Sequence, residues 1–200
     1  ILMKNYLRKI GVKSQKALKQ QISEKIKNKV LYKFEKILKK NEKSILLENK
    51  KDQNKAKKLG IKLHMLKRLE LDKKKFYQIL STIKKIRKMK DPTYKVLEKW
   101  KRPNGLTIKK VTIPLGVIAV IYESRPNVTV DVSCLCFKAG NSVILKGGKE
   151  SFYTNKLLSS FFKKSLKDLK VDENYVQFIE NKNRKVVDNI LSDMTKYVDV

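Results

Sequence analysis

One histidine and two cysteines in 200 residues leave the chain short of the side chains that usually hold metals or do thiol chemistry. His64 has no companion ligands and reads as a residue on a helix face. Cys134 and Cys136, spaced C-x-C within a periodic apolar segment, fit neither a disulfide framework nor a four-ligand zinc site, and no metal is expected. They read as buried thiols, which suits a reducing compartment and a cytoplasmic protein. No stretch approaches the roughly 20 apolar residues needed to span a bilayer, and the N-terminus lacks the apolar run of a secretory signal. A membrane partner is therefore not expected. Repeats and flexible linkers are also missing.

Acidic residues are scarce as well: 19 Asp and Glu stand against 49 Lys and Arg, a net charge of +30. Such a balance raises a nucleic-acid reading, because basic groups that release counterions supply most non-specific affinity. Two features argue against it. Residues 1–100 carry 32 of the basic and 9 of the acidic residues, so the charge is concentrated in the first half. Only six basic residues are Arg, the type suited to bidentate recognition of bases and phosphates. The bland reading is a set of solvated, lysine-rich helix faces. A basic module that binds nucleic acid or an acidic partner stays as the alternative.

With 41% hydrophobic residues the chain can build one ordinary core. Over the first ninety residues the apolar positions recur at helical spacing, as in Val30, Leu31, Phe34, Ile37 and Leu38, and again in Phe76, Leu80, Ile83 and Ile86. Gly60 punctuates this array. Asp72 is placed to cap a helix over "KKKFYQILSTIKKIRK", which Asp91-Pro92 ends. Beyond it, two extended stretches flank Pro103-Asn104-Gly105 and predict a β-hairpin near residues 94–112. "GVIAVIY" then reads as a strand covered on both faces. A helix over 128–139 closed by Gly140 follows, then a strand at 142–146, a Gly147-Gly148 turn and a helix over 150–169. A strand at 175–179, a helix over 184–191 and a last strand "YVDV" complete the series. The alternation predicts an α/β fold with a doubly wound parallel sheet, preceded by amphipathic helices and a β-hairpin.

In such sheets ligands bind beyond the carboxyl ends of the strands. Glu123, Ser124, Arg125 and Asn127 leave the first of these strands, and Lys146-Gly147-Gly148-Lys149-Glu150 leave the second. Glycines there permit close backbone approach, and lysines attract an anion. Two strand ends with anion-compatible groups suggest a phosphorylated ligand or a nucleotide cofactor. Periodicity alone goes no further.

The stretch "PLGVIAVIYESRPNVTVDVSCLCFKAGNSVILKGGKES", residues 114–151, resembles the signature region of the γ-glutamyl phosphate reductase (glutamate-5-semialdehyde dehydrogenase) family, within the aldehyde dehydrogenase superfamily. The likeness extends weakly back through "LKRLEL" and forward to "MTKYVDV", so the chain matches the N-terminal half of such an enzyme. It implies an aldehyde dehydrogenase-like NADP-binding domain. On that reading residues 1–92 form its helical layer, 93–113 a hairpin used in oligomerisation, and 114–200 a truncated Rossmann-like segment. It also implies NADPH-dependent reduction of γ-glutamyl phosphate to glutamate-5-semialdehyde in proline biosynthesis, and a homo-oligomer for the full-length enzyme.

Carried onto this sequence, the resemblance makes Asn127 the amide that stabilises the oxyanion of the tetrahedral intermediate; the alternative is a helix cap. Lys146 takes the adenosine ribose and, with Lys149, the 2′-phosphate of NADP(H), against the alternative of one more surface lysine; Glu150, on the same turn, is counted with the cofactor-binding residues. Gly147 and Gly148 form the turn and meet the cofactor through their backbone. Arg125 and Ser124 hold the substrate, or Arg125 merely pairs with Glu123. The family's catalytic cysteine is expected beyond residue 200, and Cys134 and Cys136 do not replace it. Ile1-Leu2 ahead of Met3 and the missing glycine-rich segment after "YVDV" make the sequence read as an incomplete gene product.

Overall fold

A computed structural model of the chain describes residues 2–200. Five helices come first: α1 (Leu2–Leu18), α2 (Glu24–Lys40), α3 (Glu42–Lys58), α4 (Leu63–Leu69) and α5 (Lys73–Lys88). Local chemistry sets their limits. The Ser23 hydroxyl accepts from the Ile26 amide at the start of α2, and the Asp72 carboxylate accepts from the Lys75 amide at the start of α5. Lys85, Arg87 and Lys88 crowd the last turn of α5, where the helix dipole favours cations. The buried face of α5 is Phe76, Ile79, Leu80, Ile83 and Ile86, each side chain contributing about 1.5–3 kcal/mol on burial.

The hairpin comprises β1 (Val96–Lys101) and β2 (Thr107–Val111), paired antiparallel with a register irregularity between Val96 and Glu98. Its turn holds Gly105 at φ 86, and nearly all its residues are exposed. There follow β3 (Val117–Ile121), α6 (Pro126–Lys138), β4 (Ser142–Lys146), a 3₁₀ turn at Lys149–Ser151, α7 (Phe152–Asp168), a second 3₁₀ turn at Glu173–Tyr175, β5 (Val176–Phe178) and α8 (Lys185–Asp193).

The second sheet is parallel, in the order β3-β4-β5, and each face is covered. Alternation along β4 divides the core. Val143 and Leu145 join Phe34, Phe76, Phe137 and Phe162 on the side of α2, α5, α6 and α7. Ile144 joins Leu7, Ile10, Val186 and Ile190 on the side of α1 and α8. The predicted doubly wound α/β fold is therefore observed, with the helices that precede the hairpin shared between the two faces.

Several boundaries differ from expectation. The helix expected from 128 starts at Pro126, because proline is pre-organised for the first helical position and loses no hydrogen bond there. The helix expected from 150 begins with a 3₁₀ turn. "YVDV" is not a strand: Tyr197 lies in a turn, and only Asp199 and Val200 bond to the β3 backbone, Asp199 N and Val200 N both donating to Val117 O (2.8 and 3.3 Å) and Val200 O accepting from Ala119 N (2.8 Å). With two amides sharing one carbonyl these bonds do not form a regular ladder, although they lie along the free edge of β3 where a strand would add. Exposed lysines occur on α1 to α5, both hairpin strands, α7 and α8, so the positive charge is spread over the molecule. No described helix is long and apolar enough to cross a membrane.

Candidate active site

β3 and β4 are neighbours in parallel register, with Ile121 opposite Lys146, and the Tyr122 amide donates to the Lys146 carbonyl at 3.1 Å. The loops that leave the two strands therefore emerge at one end of the sheet and touch. Ser124, 2% exposed, donates its hydroxyl to Glu150 Oε2 at 3.3 Å. Gly148 packs against the backbone of Glu123 and Ser124. Lys149 lies exposed on the same turn.

Lys146 is 6% exposed, which rules out the reading as a surface lysine. Its ammonium donates to the Gly147 carbonyl at 2.9 Å. Burial pushes its pKa below the ordinary lysine value, with the charge of Glu150 pulling the other way. A buried ammonium with donors to spare suits a phosphate or ribose hydroxyl. The two glycines are not needed for left-handed backbone, since neither has a positive φ. Gly147 is needed for space: a Cβ there would lie 2.5 Å from Asn155 Nδ2 and 3.2 Å from the Tyr122 ring, whereas one on Gly148 would crowd only the movable end of Glu150. Tyr122 is itself fixed, its hydroxyl 2.6 Å from that of Thr129.

Arg125 and Asn127 turn away from this cluster. Asn127 is the second residue of α6, past the capping position, so the helix-cap alternative fails. Its amide donates to Asp131 Oδ2, one turn along, at 3.2 Å. Arg125 is exposed, and among the described residues it forms no ion pair; Glu123 offers it only a backbone carbonyl. Both line a cleft of about 460 Å³ between α4, α5 and the start of α6, together with Lys67, Arg68, Lys75 and Asp131. Lys75 is committed there to the carbonyls of Lys67 and Glu70, at 2.9 and 2.8 Å. The candidate residues thus form two groups at one sheet end: Ser124, Lys146, Gly147, Gly148, Lys149 and Glu150 in one, Arg125 and Asn127 in the other.

Sequence reasoning passed over Asp131. The available signal was a lone carboxylate in the otherwise apolar helix "VTVDVSCLCF", one turn after Asn127. Burial pushes its carboxyl up, against the hydrogen bond from Asn127, and its Oδ1 is buried without a partner among the described residues. Asp52 on α3 was also missed. It accepts from the Tyr153 amide (3.3 Å), the Thr154 amide (2.8 Å) and the Thr154 hydroxyl (2.7 Å). The first turn of α7, next to the glycine pair, is therefore already capped by an acid, leaving the lysines to attract an anion.

The thiols are inert by position. Cys134 and Cys136 are buried in α6, and burial raises both, Cys136 to about 11. Among the described residues no group of His, Cys, Asp and Glu is placed to hold a metal.

No protein-family model matches the chain. It is 38% identical to a γ-glutamyl phosphate reductase from Clostridium tetani, over 99% of this chain and 46% of that protein. The crystal structure of γ-glutamyl phosphate reductase from Thermotoga maritima superposes with a TM-score of 0.92 at 34% identity, over 96% of this chain and 47% of that one. Two distant structures share the fold alone. A probable aldehyde dehydrogenase from Listeria monocytogenes has a TM-score of 0.70 at 11% identity, over 98% of this chain and 41% of that one. An engineered glycolyl-CoA reductase with bound NADP+ has 0.61 at 15%, over 96% and 40%. The chain spans about half the length of the curated relatives it matches. Over that shared span it belongs to the γ-glutamyl phosphate reductase family.

Proposed function

We propose that this chain supplies the NADP(H)-binding part of a cytoplasmic enzyme that reduces γ-glutamyl phosphate to glutamate-5-semialdehyde and phosphate in proline biosynthesis. The observation that carries the reading is the pairing of Ile121 with Lys146, which brings the polar ends of two strands to one end of the sheet in a chain of this family. NADPH, when bound, supplies the hydride. Lys146 and Lys149 hold its adenosine end, at a turn where the diglycine backbone comes close. A related fold with NADP+ bound supports the choice of cofactor. Ser124, through Glu150, keeps the two loops together. Asn127 donates to the developing oxyanion, while Arg125 takes a negative group of the substrate. The exposed apolar residues of the hairpin, Val96, Leu97, Trp100, Leu106 and Val111, suit contact with a second copy in a homo-oligomer.

The test is a chimera in which this chain replaces the matching span of the Clostridium tetani relative. Supplied with glutamate-5-semialdehyde and phosphate, it should reduce NADP+ in the reverse direction, and Lys146→Met should raise the KM for NADP+ more than that for NAD+. A folded chimera that is inactive beside an active parent would overturn the proposal.

A further inference from the structure

We propose that the cleft between α4, α5 and the start of α6 seats the α-amino-acid head of the acyl substrate, with Asp131 taking its ammonium and Arg68 and Arg125 its carboxylate. The inference rests on the function proposed above and deepens it, since that reading leaves open what distinguishes a glutamyl group from any other acyl phosphate.

Three features of the cleft carry it. Its volume, about 460 Å³, is in the range of small-molecule sites. Its cations are not equivalent: Lys75 is tied to backbone carbonyls, whereas Arg68 and Arg125 are exposed and make no ion pair among the described residues. A free guanidinium presents a planar fork that matches a carboxylate. Asp131 adds the opposite charge. One of its oxygens accepts from Asn127, and the other is buried with no donor among the described residues.

Asp131 lines the cleft beside two free guanidinium groups, and an ammonium group meets its charge and its remaining acceptor capacity. Glu70 also lines the cleft, but it is exposed, and a solvated carboxylate discriminates weakly. The Asn127–Asp131 bond has a further consequence. The residue proposed to meet the reacting carbonyl is tied to the one proposed to meet the ammonium, as a short glutamyl chain requires. An acyl group without the ammonium would leave the charge of Asp131 without a counter-charge in the cleft, and a site built for a polar group rejects analogues that lack it.

The test uses the 200-residue chain, labelled with nitrogen-15 and titrated with L-glutamate γ-methyl ester, its N-acetyl derivative and its α-carboxamide. The ester should shift amides of α4, α5 and the first turns of α6. The N-acetyl derivative should bind at least tenfold more weakly, and Asp131→Asn should weaken the ester by a similar factor while leaving the N-acetyl derivative unchanged. Arg68→Gln should weaken the ester but not the α-carboxamide. Equal binding of ester and N-acetyl derivative, shifts that map elsewhere, or no saturable binding would each overturn the inference. If Asp131→Asn does not fold, the comparison of the two ligands on the unaltered chain decides. Failure here leaves the NADP+ reaction of the chimera intact, and failure of the chimera leaves the ester titration intact, so the two are distinguishable.

Discussion

The ammonium of Lys27 on α2 lies 2.8 Å from the carboxylate of Asp91, with 3% and 11% of the two side chains exposed. Thr93 completes the cluster, accepting from Lys27 at 3.3 Å and donating to Asp91 at 2.7 Å. Burial opposes ionisation of Asp91, but hydrogen bonds from Lys27 and Thr93 outweigh it and hold the carboxyl below the usual carboxylate range. Asp91→Asn leaves a buried cation without its counter-charge and should cost about 3–5 kcal/mol at neutral pH in urea denaturation. Because the folded pKa is the lower one, this stabilisation is present above the unfolded aspartate value and is lost as pH falls through the folded value. The gap between the two proteins should narrow in acid; a gap that stays constant would contradict the assignment.

Gly147→Ala tests the close packing beneath the diglycine loop. The added methyl would meet the buried Asn155 side chain, which donates to Ser151 at 2.8 Å. The expected loss is about 1–3 kcal/mol, the usual range for overpacking. Adding Asn155→Ala should recover part of it, because the obstructing atom is gone. Thermal unfolding of the single and double variants checks this, and a double variant less stable than the sum of the single losses would contradict it.

The two thiols should be unreactive. With Cys136 raised to about 11 and Cys134 well above the ordinary thiol, the thiolate fraction at neutral pH is very small. A disulfide reagent should label neither in the native chain and both after denaturation. By itself the chain should not oxidise NADPH in the presence of γ-glutamyl phosphate. Turnover abolished by Cys134→Ser or Cys136→Ser would mean that the chemistry sits in α6 after all.

Asn127→Ala, made in the chimera, should lower kcat about 10²- to 10³-fold, or roughly 3–4 kcal/mol, with little change in NADPH affinity. Steady-state kinetics with kcat unchanged would remove Asn127 from the oxyanion role.

Local features were legible in the sequence. Asp72 and Asp91-Pro92 bracketed α5, Pro103-Asn104-Gly105 marked the hairpin turn, and the alternation of apolar runs with helical periods indicated the doubly wound sheet. These depend on capping, turn chemistry and side-chain period, which act within a few residues. The start of α6 was also written locally, in Pro126, but the apolar pattern from Val128 outweighed it.

Pairings across long stretches of chain were not legible. Asp91 was visible as a helix stop but not as the partner of Lys27, 64 residues earlier. Asp52 gave no sign that it would cap α7, about 100 residues on, nor Lys146 that it would be buried among so many exposed lysines. A charge in a sequence does not say which opposite charge or amide it will meet, or how much water it will keep, since both are consequences of how the layers pack. Pattern and cap chemistry determined the elements and the two candidate strand ends. Only the tertiary structure decided that Lys146 is desolvated at its strand end and that Arg68 shares a cleft with Arg125, because each requires segments distant in the chain to be brought together.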